Sequence, residues 1–328
     1  MGSDPVPAVP AAADRRPARD PREHHGKGHR PVTSVATAVP ASEGRYALGE
    51  GPVWDSARDR LLWVDITAGE IIEGRLDPDS GRITATGVHR FEGTVGAVAT
   101  SADGDLIVAE RSTLTRVRAD GRRTGIARVL DSGADSRLND GAVDPAGRFL
   151  VGSLADDDRT GEEVLARLGA DGPVLLDTDL NLSNGLAWSP RGTRFYSIDT
   201  VPGTVWGRDY DPATGATGPR ERLFTVEDGF PDGMCVDAEG NLWIAVWGRG
   251  RIERRAPGGE VLSTVAVDAP HTSSVTFAGP DLDILVITTA THDLSPRDLD
   301  ESPDSGRLFT ARPGVRGLPT PYWVPSTP

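Results

Sequence analysis

Residues 60–66 read RLLWVDI, and runs of the same kind return five times: GDLIVAE at 104–110, RFLVGS at 148–153, RFYSID at 194–199, NLWIAV at 241–246 and DILVIT at 283–288. Each is a short stretch of aliphatic, β-branched and aromatic residues bounded by Gly, Pro, Asn or Asp, the pattern of a strand between turns. Taking one large apolar residue of each run as an anchor gives Leu62, Leu106, Phe149, Phe195, Leu242 and Ile284, spaced 42 to 47 residues apart. A period of about 45 residues with room for four short strands is the signature of a β-propeller blade. Six units predict an all-β, six-bladed β-propeller, closed because a single blade cannot bury both faces of its sheet. A turn of the form Asp/Ser-x-x-Gly precedes several anchors, as in SADGDL, DPAGRF, SPRGTRF and DAEGNL, and the side chain opening it can bond the backbone two residues on. A pair of β-sandwiches, the competing architecture, predicts no constant period.

The repeats assign residues 43–328 to one propeller domain. Residues 1–42 are rich in Pro, Ala, Arg and His without periodicity, and cannot bury enough apolar surface to offset chain entropy, which predicts a disordered tail. Its histidines, His24, His25 and His29, have no partner motif and are expected to be solvated. No apolar run approaches the roughly 18–20 residues of a membrane span, and no secretory h-region follows the early charges. With 49 acidic against 35 basic side chains, a net −14, the field opposes phosphate binding, so nucleic acid is excluded and a cation is the better partner. The single Cys235 rules out an intrachain disulfide, fits a reducing, cytoplasmic location, and reads as a structural thiol. Trp54, Trp63, Trp188, Trp206, Trp243 and Trp247 fall on strands and are expected between blades. No Gly-x-Ser-x-Gly elbow, P-loop or dinucleotide fingerprint is present.

Ten to twelve residues before the anchors, where the innermost strand of a blade begins, four units place a polar side chain followed by Gly or Asp-Gly: Glu50 in LGEGPVW, Asn139 in RLNDGAV, Asn184 in LSNGLAW and Asp232 in FPDGMCV. The other two units place Val95 or Gly96, and Ser274, near that register. Asn-Gly and Asp-Gly are ordinary turn formers, but Glu is not, and four such residues at one register converge on one axial opening. Two carboxylates and two amides form a hard oxygen donor set suited to Ca²⁺, Mg²⁺ or Mn²⁺. Without a cation, two such carboxylates would desolvate and repel one another.

The segments LGEGPVWDSARDRLLWVDI, RLNDGAVDPAGRFLVGS, LSNGLAWSPRGTRFYSID and FPDGMCVDAEGNLWIAVWGRGRIER closely resemble, in order, the motifs of the gluconolactonase, regucalcin and luciferin-regenerating-enzyme family, also called the senescence marker protein family. The resemblance runs from about Leu48 to about Thr289. It implies a six-bladed propeller with one divalent ion in the central channel, Ca²⁺ first among Ca²⁺, Zn²⁺, Mg²⁺ and Mn²⁺, and hydrolysis of small-molecule lactones of sugar acids by a monomer or weak homo-oligomer. It implies Glu50, Asn184 and Asp232 as metal ligands and Arg137, Asn139 and Asp140 as substrate contacts. Asp232, able to ligate through one oxygen and take a proton on the other, is the expected general base, with Glu50 next and His271 a lesser candidate. Another ester or phosphotriester substrate, or a non-catalytic calcium- or ligand-binding propeller, are the alternatives. The chain departs from the family after the third anchor, where LADDDRTGEEVLARLGADG replaces a Gly-x-Leu-Tyr strand. The resemblance implies that this segment often forms part of the channel rim; its acidic residues Asp156, Asp157, Asp158, Glu162 and Glu163 are expected on a solvated loop, with the channel mouth as the alternative, and most carboxylates other than Glu50 and Asp232 are expected on solvated surface.

Overall fold

The computed structural model describes residues 33–157 and 159–325. They form six antiparallel sheets arranged as a propeller, with one short helix, Pro296–Glu301. In chain order the blades begin with the innermost strands Gly49–Asp55, Val95–Thr100, Ser136–Val143, Ser183–Trp188, Phe230–Val236 and Thr272–Ala278. Each innermost strand lies against those of its two neighbours, the sixth against the first, so the ring closes. The six anchor runs form the second strands, as their apolar composition predicts.

The core explains the closure. Apolar clusters sit at the junctions between blades: Trp63, Leu61 and Ile72 of the first blade pack with Ile284 and Val286 of the sixth, and Trp243 and Ile252 of the fifth pack with Phe277 and Phe309 of the sixth. The same holds at the other four junctions. Five of the six tryptophans expected between blades are buried; Trp206 is half-buried under the guanidinium of Arg220.

The N-terminal boundary differs from the expected one. Residues 1–32, with the three tail histidines, lie outside the described residues, but residues 33–42 belong to the ring. Thr33–Thr37 adds a fifth, parallel strand to the fifth blade, and Val39–Pro40 pairs with Phe309–Ala311 as the outermost strand of the sixth. Ala38, Ala41 and Ser42 are buried. Composition could not separate this short segment from the tail because it is the sheet of the last blade, far away in sequence, that makes it a strand.

Many carboxylates are not solvated. Asp55, Asp144 and Asp237 are fully buried in the turns before the anchors. Asp237 accepts from the backbone N–H of Glu239 and Asn241 and from Trp243 Nε1, and Asp144 accepts from Ala146 and Arg148 N–H and from the Tyr210 hydroxyl. These carboxylates are turn clamps, satisfied as buried charges must be.

After the last blade strand the chain runs back across one face of the ring. Arg316 O accepts from Ala238 N, the Tyr322 hydroxyl donates to Asp55 Oδ1 at 3.0 Å, Trp323 N donates to Thr100 O, and Val324 N donates to Gly147 O. This strap thus ties the fifth blade to the first three.

Candidate active site

In every blade the innermost strand bulges at the register singled out by the sequence. The pairing slips between Glu50 and Val53, Val95 and Ala97, Leu138 and Gly141, Asn184 and Leu186, Pro231 and Met234, and Thr272 and Ser274. A bulge re-aims the side chain beside it, and here six bulges ring the axis. Two glycines make the crowding possible. A Cβ on Gly96 would lie 2.5 Å from the carbonyl oxygens of both Leu138 and Asn139, and Gly185, at φ +36°, would place one 2.6 Å from Asp232 O.

The segments leading into these strands are clamped by acids at the ends of second strands. Asp65 accepts from Ala47 and Leu48 N–H just before Glu50, and Asp199 accepts from Asn181 and Leu182 N–H just before Asn184. In the first and fourth blades the second strand thereby sets where Glu50 and Asn184 stand on the innermost strand.

A cavity of about 460 Å³ opens at this end of the channel, and Glu50, Arg137, Asn139, Asn184 and Asp232 all line it. All five are buried. Asn184 Nδ2 donates to Asp232 Oδ1 and to Thr200 Oγ1, and Thr200 Oγ1 donates to Pro231 O at 2.8 Å. Arg137 donates to Asn139 Oδ1 at 2.8 Å, while Asn139 Nδ2 donates to Ser183 O at 3.1 Å. Asn139 therefore commits its oxygen to Arg137 and one amide hydrogen to Ser183 O, and has one hydrogen left to offer the cavity. The Nε of Arg137 has no protein partner.

Electrostatics mark the same residues. Burial, then the neighbouring Asp232 and Asp140 charges, hold the Glu50 carboxyl well above its ordinary range; burial, then Asp140, does the same to Asp232. Burial pushes Asp140 up to about 6 and pulls Arg137 down to about 10. Among the described residues no cluster of three or more His, Cys, Asp or Glu is arranged for a metal; the donor set here owes its third member to an amide. The residues fit a hard divalent cation. Two buried, mutually repelling carboxylates call for positive charge, and an amide N–H of Asn184 already points at one of them.

Asp140 stands apart from the other five. Its carboxylate accepts from Gly141 N–H at 2.8 Å, and it lines not this cavity but one of about 620 Å³ under strap residues Leu318–Tyr322, while its charge still acts on Glu50 and Asp232. The two cavities share no lining residue. Ser274 and Cys235 also line the far cavity, where burial pushes the thiol up. His271 lines neither: its ring stacks on Trp247 at 4.1 Å and its Nδ1 meets His292 O at 2.9 Å, so it buttresses a wall.

The sequence reading missed most of the rim. Asp157, Arg159 and Thr160 from the loop after the third blade's second strand line the cavity, with Trp247, Phe230 and His292 opposite. Trp247, at the end of an anchor run, was recoverable from the repeat register; the loop entered only as the alternative lining of the channel mouth, because nothing local says which way it folds. Glu163, expected on a solvated loop, is buried, and Asp158 lies outside the described residues.

Comparison with known proteins bears on the family and the fold. The profile of the SMP-30/Gluconolactonase/LRE-like region matches residues 48–291. The chain is 35% identical to regucalcin of Gallus gallus over 289 residues, covering 85% of this chain and 95% of that one. It is 37% identical to a pentonolactonase of Haloferax volcanii over 280 residues, covering 83% and 93%. The crystal structure of regucalcin from Agrobacterium tumefaciens, described as a calcium-binding protein, superposes with a TM-score of 0.82 at 28% identity, covering 89% of this chain and all of that one.

Proposed function

Because the chain belongs to the SMP-30/gluconolactonase/LRE-like family, we propose that it is a divalent-metal-dependent hydrolase of sugar-acid lactones. The observation that carries the reading is the convergence, in one buried cavity, of Glu50, Asn184 and Asp232 beside Arg137 and Asn139. The pentonolactonase relative supports the substrate class, and the calcium-binding neighbour supports Ca²⁺ as the ion. Glu50, Asn184 and Asp232 would hold it. When bound, such an ion stabilises negative charge developing on a carbonyl oxygen and acidifies nearby water.

The protein's own groups account for the rest. Arg137, its Nε free of protein partners and its guanidinium oriented by Asn139, binds the lactone through its ring carbonyl or hydroxyl oxygens. Asp232 takes a proton from the attacking water as the water oxygen bonds to the carbonyl carbon. The ring C–O bond then breaks, and the ring oxygen recovers a proton as the alcohol, so one lactone and one water give one hydroxy acid. Trp247 and Phe230 supply apolar walls that limit competing water.

The test is calcium calorimetry and lactone hydrolysis on one set of proteins. Asp232→Ala and Glu50→Gln should both lose measurable Ca²⁺ binding, and Asp232→Ala should reduce kcat/KM by at least ~10²-fold, the low end for removing a general base. Chelated wild-type protein hydrolysing gluconolactone at the full rate would refute metal dependence. Calcium binding with no turnover on any lactone would favour the non-catalytic calcium-binding alternative.

A further inference from the structure

Glu163 is a buried acid outside the group of Glu50, Asn184 and Asp232. It begins the third strand of the third blade, at the end of the acidic loop, yet it is only 2% exposed. Both oxygens are engaged: Oε1 accepts from Ser136 Oγ at 2.8 Å and Oε2 from the fully buried Ser153 Oγ at 2.6 Å. Ser153 Oγ in turn accepts from Val164 N at 2.9 Å. Arg159 reaches back from the loop to the same point, donating to Ser136 Oγ, to Asp135 O at 2.7 Å and to Glu163 Oε1 at 3.4 Å. The loop is held at its start as well, where Asp156 N donates to Asp135 O and the Asp156 carboxylate pairs with Arg111, whose carbonyl accepts from Leu138 N.

These bonds converge on residues 135–138, the segment that presents Arg137 to the cavity. Ser136 is the immediate neighbour of Arg137, and Asp157, Arg159 and Thr160 are the part of the loop that lines the cavity. A buried carboxylate with three donors is rigid and costly to disturb, so the wall formed by the loop and by Arg137 moves as one piece only while Glu163 is in place.

We propose that Glu163 is a positioning residue for substrate binding, tying the rim residues Asp157, Arg159 and Thr160 to the strand segment that carries Arg137. The proposal rests on the lactonase reading for its kinetic arm and is independent of it for its structural arm. Glu163 touches neither the candidate metal ligands nor the cavity in the contacts above, so its effect belongs to KM.

The experiment uses the full chain carrying Glu163→Gln, Glu163→Ala and, as a milder pair, Ser153→Ala and Ser136→Ala. Kinetics on the best lactone with saturating Ca²⁺ should show KM raised ~5- to 20-fold in Glu163→Ala with kcat within twofold, and a smaller rise in Glu163→Gln, which keeps one acceptor oxygen. Calcium affinity should stay within twofold of wild type. Limited trypsin digestion should cleave after Arg159 at least ~10-fold faster in Glu163→Ala, because Arg159 is released from Ser136 and Glu163. If Glu163→Ala does not fold, Ser153→Ala and Ser136→Ala must show the same directions. Unchanged KM with unchanged cleavage after Arg159 would overturn the proposal, as would a loss confined to kcat. Should wild type hydrolyse no lactone, the cleavage arm still decides the positioning role, and only the lactonase reading fails.

Discussion

Glu50, Asp232 and Asp140 form a buried acidic group whose protonation couples to both folding and ion binding. Burial raises all three above the ordinary carboxylate value, Asp140 to about 6. An acid whose folded pKa exceeds its unfolded one favours the folded state at low pH, and that contribution is lost as pH rises from about 4 through the folded value. The cation-free protein should therefore lose thermal stability between pH 4 and 7, and Ca²⁺ should restore it at neutral pH. Asp140→Asn, which has no proton to lose, should flatten part of that decline. On the proposed reading Ca²⁺ must also displace the protons of Glu50 and Asp232, so its affinity should rise with pH across the same interval, by up to about 10-fold per unit for each proton released. Melting curves at fixed ionic strength and calorimetry at several pH values check both; pH-independent binding would contradict the ligand assignment. Asp140 also marks the limit of residue-level reading. Its place next to Asn139 in the RLNDG motif suggests a shared role, but the two stand at the bulge between Leu138 and Gly141, which aims them into different cavities.

Elements carry the next level of information. The anchor runs were legible because their strands are buried between blades, which demands apolar residues at each recurrence. The site register was legible because each innermost strand bulges beside the axis and needs Gly or a small residue there. What stayed hidden was what depends on distant partners. Val39–Pro40 is a strand only because Phe309–Ala311 presents it an edge, and Glu163 is buried only because Ser136 and Ser153 turn toward it. A chain starting at residue 33 keeps both N-terminal strands, whereas one starting at residue 43 leaves the sixth blade with three. The second should melt ~5–10 °C below the first, equivalent to about 2–4 kcal/mol for a protein of this size. Differential scanning calorimetry of the two truncations measures this, and equal melting temperatures would show that the closing strand adds nothing.

For the molecule as a whole, stability is shared around the ring: every apolar cluster belongs to two blades, so no blade can leave without opening two cores. Trp63, fully buried at the junction of the first and last blades and edge-on to Tyr46 at 5.6 Å, sits at the seam. Trp63→Ala should cost about 3–5 kcal/mol, and urea unfolding should remain a single transition; a separate early transition would mean that blades unfold independently. The strap has a different kind of consequence. It crosses the face opposite the candidate active site, and the cavity beneath it shares no wall residue with the one that holds Glu50 and Asp232. The candidate chamber and the cavity under the strap are therefore walled by separate sets of residues, and the rim of Asp157, Arg159 and Trp247 belongs to the chamber alone. On the proposed reading, a hydroxy acid just released would share that rim with the next lactone, and the loop held by Glu163 would set the passage of both.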